Sequence, residues 1–116
     1  MKNIPERRQV KRLKFTYYMQ ILNDDTQELV GHLSDISPRG FRLDSLLTLP
    51  IGQDFPLRLE LTSDIADRPY MVFIACTKWC TEDHLTPNLY NIGFEIVEIL
   101  PDDAEIFARI LEKYGT

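Results

Sequence analysis

The chain has 116 residues, 44% apolar and 27% charged, enough for one globular domain with one core and too little for two. It has no run of about eighteen apolar residues that could span a membrane, and its opening, MKNIPERRQVKRLKF, lacks the apolar stretch of an export signal, so no membrane insertion and a cytoplasmic location are the expectation. The net charge of −5 hides a division: residues 1–14 carry six cations (Lys2, Arg7, Arg8, Lys11, Arg12, Lys14) and one acid (Glu6), while the remainder is at −10, a surface that repels phosphate over most of its area and argues against lying along nucleic acid.

After the basic stretch, LKFTYYMQIL (13–22) is rich in aromatic and β-branched residues and reads as a strand, with NDDTQE (23–28) as a polar turn. LVGHLSDIS (29–37) is a second strand. SPRG (37–40) has the punctuation of a tight turn, and FRLDS follows with Phe41 and Leu43 on one face and Arg42 and Asp44 on the other. LPIGQDF (49–55) reads as a loop. PLRLELT (56–62) alternates cleanly, with Leu57, Leu59 and Leu61 inward. YMVFIACTKWC (70–80) is a long, largely buried strand, TEDHLTPN a loop, and LYNIGFEIVEIL (89–100) a further alternating strand.

The period then changes. In PDDAEIFARILEKYG, Ile106, Phe107, Ile110, Leu111 and Tyr114 form one helical stripe, Pro101 with Asp102 and Asp103 looks like a capped start, Glu105 complements the positive helix end, and Gly115 is a natural stop. The expectation is a mainly β protein: a six-stranded antiparallel β-barrel (residues 13–100) with a C-terminal α-helix (101–115) packed on it and a flexible basic N-terminal arm (1–12), the whole of 1–116 forming one domain.

No catalytic set assembles. His32 and His84 have no nucleophile tied to them by spacing, and the carboxylates are scattered, so an enzyme is not expected. Cys76 and Cys80, at C-x3-C on a strand, are expected on one face as buried thiols. A metal site would need two further ligands at recognisable spacing, so neither a metal nor a cofactor is expected.

Two motifs remain. Arg7-Arg8 followed by Arg12 offers rigid guanidinium forks that clamp phosphate, bond the O6/N7 edge of guanine, or stack on a base. Alone, it also fits a solvated basic tail. DISPRG places Asp35, Ser37 and Gly40 at D-x-S-x-x-G. An Asp carboxylate accepts from N1–H and N2–H2 of guanine, a Ser hydroxyl bonds phosphate or base, and a Gly permits positive φ or close approach of a ligand. Alone, it fits a plain turn better, with Asp and Ser capping backbone amides and Gly required by the geometry.

Together, R-x-x-x-R before a first strand and D-x-S-x-x-G one strand pair later resemble the PilZ domain family, and TKWC…YNIGFEIVEI is similar to that family's closing strand pair. The resemblance runs from about Glu6 to the helix. It implies a bacterial receptor for the second messenger cyclic di-GMP, which is a ligand and not a cofactor. Arg8 and Arg12 would grip phosphates and guanine edges, Asp35 and Ser37 would contact a guanine, and Gly40 would shape the turn. Arg7 resembles members that bind an intercalated pair of ligands, Trp79 stands where relatives stack an aromatic on a base or is a core residue, and Arg39 reaches ligand or solvent. Ordering of the arm on binding would pass the signal to an unidentified effector in motility, attachment (biofilm) or polysaccharide export. The alternative is a PilZ-like interaction adaptor that works without nucleotide.

Overall fold

Alternation of inward apolar and outward polar side chains closes the sheet on itself. The computed structural model describes residues 19–114. Over that span the strands are β1 (Gln20–Asn23), β2 (Leu29–Ser37), β3 (Gly40–Ser45), β4 (Asp54–Glu60), β5 (Tyr70–Glu82) and β6 (Tyr90–Glu98), followed by helix α1 (Pro101–Tyr114). All neighbours pair antiparallel, in the closed order β1-β2-β3-β6-β5-β4. The six-stranded barrel and terminal helix are those expected, with shifted edges: β4 begins two residues early, at Asp54, and β5 runs two residues further, to Glu82. Of the strand expected over residues 13–22, the described end lies in β1, while residues 13–18, the arm with Arg7, Arg8 and Arg12, and Gly115 lie outside the described residues.

The inward faces interlock in one core. Ile21, Leu33, Leu43, Leu57, Leu59, Met71 and Ile92 are all fully buried, each side chain stabilising the fold by about 1.5–3 kcal/mol relative to exposure. Phe41 stacks on Phe94 at 5.1 Å between ring centroids and meets Phe73 edge-on at 5.4 Å. From α1, Ile106, Phe107 and Ile110 are buried in the same core, with Leu111 and Tyr114 half-buried beside them. That is the stripe read from the sequence.

The helix is also clamped by polar contacts. Asp103, read as part of a capped start, sends its buried carboxylate elsewhere: it accepts from the Val72 amide of β5 at 3.4 Å and pairs with Arg68 at 2.9 Å. Arg109 donates to the Ile65 carbonyl and Lys113 to Asp64. The β4–β5 loop is therefore fastened along the length of α1.

Topology gathers several segments at one end of the barrel. The two-residue turn Pro38–Arg39 joins β2 to β3, and Gly40 pairs with Glu95 late in β6, close to the start of α1. β1 runs away from that turn, so its N-terminal end points back towards it. The Met19 carbonyl there accepts from the Leu33 amide at 3.0 Å, two residues before Asp35.

Candidate ligand groove beside the turn

Two strand irregularities decide which side chains face outward at this end. In β2, Leu33 opposes Leu43 and Asp35 opposes Arg42, leaving Ser34 as an extra residue. Uninterrupted alternation from Leu33 would turn Asp35 and Ser37 into the core. The bulge reverses the phase, so Ile36 is buried and Asp35 and Ser37 point out. Ser34 is itself satisfied: its hydroxyl donates to the Arg42 carbonyl at 3.0 Å and accepts from Arg42 Nε at 3.2 Å.

In β5 the extra residue is Lys78. Thr77 opposes Phe94 and Trp79 opposes Gly93, with Cys80 opposite Ile92. Thr77 is buried, whereas Lys78 and Trp79 are both exposed on the outer surface. This corrects the expectation for the cysteines. The bulge puts Cys76 and Cys80 on opposite faces: Cys80 packs against the core, while Cys76 sits on the outer side between Asp54 and Glu95. Desolvation first, then a hydrogen bond with Asp54, push the Cys76 thiol above its ordinary pKa. Among the described residues, no group of three His, Cys, Asp or Glu side chains is arranged to hold a metal ion.

The outward residues line a groove of about 390 Å³ formed by Asp35, Ser37, Arg39, Arg42, Lys78, Trp79 and Glu95, with Gly40, Gly93, Phe41 and Phe94 in its floor. Of the residues singled out in the sequence, it brings together Asp35, Ser37, Gly40, Trp79 and Arg39. The three motif arginines lie outside the described residues. Asp35 Oδ1 accepts from the Ile36 amide at 2.9 Å, which fixes one oxygen; the other carboxylate oxygen is the one suited to a ligand's N–H groups.

Two glycines allow this floor to be flat. At Gly93 a Cβ would lie 2.2 Å from Trp79 Nε1, because the indole lies across that position. Trp79 is 41% exposed, so it is a surface ring and not a core residue. At Gly40 a Cβ would lie 2.0 Å from the Phe94 carbonyl oxygen. Its φ is not positive, so close approach of β3 to β6, and not a left-handed turn, requires glycine there.

Sequence reasoning missed Lys78, Glu95 and Gly93, and used Arg42 only as an outward strand residue. Lys78 Nζ lies 3.5 Å from Glu95 Oε1 across the groove, with both side chains about half exposed. The signal available for Lys78 was the spacing of Thr77 and Cys80, three apart yet both inward.

An outward-facing groove with three cations, a surface indole and two carboxylates, Asp35 and Glu95, one of them paired with Lys78, suits a small anionic ligand carrying a base. Comparison with known proteins finds the same fold elsewhere. The structure resembles the PilZ domain of YcgR from Escherichia coli with c-di-GMP (14% identity, TM-score 0.62, covering 84% of this chain and 80% of that one). It also resembles the Bacillus subtilis inhibitor of motility MotI/DgrA (16% identity, TM-score 0.62, covering 83% of this chain) and spans only 45% of that longer protein. No curated protein matches the sequence. Residues 6–113 match the PilZ domain family, a span that takes in the arginine motif, the D-x-S-x-x-G turn and nearly all of the helix. By that match the chain belongs to the PilZ domain family.

Proposed function

We propose that this protein is a cyclic di-GMP receptor of the bacterial cytoplasm that does no chemistry on its ligand and relays its binding to a partner protein. Asp35 and Ser37 bind a guanine, Trp79 stacks on a base, and Arg8 and Arg12, with Arg7, close over the phosphates. The observation that carries the reading is that the outward turn of Asp35 and Ser37 shares one groove with an exposed indole and with Arg39 and Arg42. Support comes from membership of the PilZ family and from the likeness to a PilZ domain solved with c-di-GMP.

Arg12 is seven residues before Met19, and an extended chain spans at most about 3.3–3.6 Å per residue, so its Cα lies within roughly 25 Å of Met19, whose carbonyl is bonded to the Leu33 amide two residues before Asp35. Stacking on an aromatic ring is worth about 1–3 kcal/mol per base, and bidentate Arg–phosphate bonds are among the stronger hydrogen bonds. Closing of the arm over the ligand changes the surface at the turn end of the barrel, next to α1, and that change is what a partner reads. The likeness to an inhibitor of motility makes the motility machinery the first place to look for it.

Calorimetric titration of cyclic di-GMP, with cyclic di-AMP and GTP alongside, tests the reading. Selective binding at micromolar Kd or tighter, about −8 kcal/mol or better, is expected, abolished in Arg8→Ala and Asp35→Ala. Stoichiometry then distinguishes one ligand from a pair. Absence of heat at high micromolar ligand overturns the proposal and leaves a nucleotide-independent interaction domain.

A further inference from the structure

We infer that Lys78 is an anion-binding residue of the groove, held by Glu95 until a phosphate displaces that carboxylate. The inference rests on the ligand reading above and concerns a residue that neither motif contains. Lys78 is the residue that the β5 bulge adds. Without it Thr77 would still face in and Trp79 still face out, so it contributes nothing to the core. What the bulge adds is an ammonium on the groove wall, directly before the indole in the chain.

Charge explains why it is needed. The groove's described acids are Asp35 and Glu95. Asp35 takes the guanine edge in the reading above, and the second carboxylate, Glu95, repels an arriving phosphate. Lys78 neutralises it at 3.5 Å. That pair is long and half-solvated, the kind that contributes little to stability, so exchange of the carboxylate for a phosphate oxygen costs little and gains a shorter charge-assisted bond. Arg42 is less free to do the same, because its Nε is committed to Ser34. Glu95 thereby sets the affinity downward, and Lys78 makes the groove usable in spite of it.

The test is a cyclic di-GMP titration of the full chain at several salt concentrations, read by calorimetry and by emission of Trp79, which as the single tryptophan reports on this groove alone. Lys78→Met is expected to weaken binding about tenfold, the scale of one hydrogen bond to a charged group, and to flatten its salt dependence, while the quench at saturation stays unchanged. Lys78→Arg should stay within about threefold of the parent because the charge is kept, and Glu95→Gln should tighten binding severalfold. If Lys78→Met binds as the parent does, with the same salt dependence, the inference falls and the ligand reading stands. Unchanged or weaker binding by Glu95→Gln overturns the holding role. No binding by the parent protein overturns the ligand reading and this inference together.

Discussion

Trp79 lies over Gly93 with its Nε1 only 2.2 Å from where a Cβ would be. Gly93→Ala must therefore move the ring. The obstacle is a side chain on an exposed surface, so the fold should survive while the indole lifts off the sheet. Tryptophan emission of the free protein should shift to longer wavelength. Cyclic di-GMP binding should weaken by about tenfold, the loss of one stacking platform, as read by calorimetry.

Gly40→Ala meets backbone instead. The Phe94 carbonyl that crowds the position is part of the β3–β6 ladder, and it cannot swing away without breaking pairing beneath the groove. Overpacking of this kind typically costs about 1–3 kcal/mol, to be seen as a lower urea midpoint with an unchanged slope. A Gly40→Ala protein as stable as the parent would show that the strands separate more easily than their geometry implies.

The Arg68–Asp103 pair should respond unequally to its two halves. Asp103 is almost wholly buried and Arg68 is 43% exposed. Removing the cation in Arg68→Met leaves the buried carboxylate, among the described residues, with the Val72 amide, at a cost of about 1–3 kcal/mol. Asp103→Asn leaves the arginine free to take up water, so its cost should be smaller. Denaturant melts of the two single variants give the order directly.

Acid stability should carry a signature of Asp64. Its hydrogen bonds with Lys113 and then Thr62 lower its pKa from 3.8 to about 2. A folded-state pKa below the unfolded one stabilises the fold above the unfolded value, and the contribution is lost as pH falls through the folded one. The gap in Tm between the parent and Asp64→Asn should hold steady above about pH 5 and close between pH 4 and 2. It should be small, since both partners are about half exposed.

How much of this was legible in the sequence depended on whether a strand kept one phase. β2 was read with its ends correct and the helix within one residue, because Leu29–Ser37 is bounded by turn formers and the Ile106-Phe107-Ile110 stripe has an unambiguous period. Asp35 and Ser37 were found through a motif, which carries no information about the face they occupy. The two bulges were not read. Leu33 and Ile36, like Thr77 and Cys80, are three apart and both inward, a spacing that a regular strand forbids and a bulge permits. That missed parity placed Cys76 and Cys80 together, left Trp79 undecided between core and surface, and hid Lys78. Edges of β4 and β5 drifted because register with a neighbour, and not local propensity, decides where pairing stops.

The position of Met19 also bears on the proposed reading. Met19 is bonded to Leu33, two residues from Asp35, so any grip between Arg8 or Arg12 and a ligand in the groove closes a loop within a single molecule. Tethered partners of this kind meet at an effective concentration on the order of millimolar, whatever the dilution. On the proposed reading, the closing step itself would then not depend on the concentration of the protein.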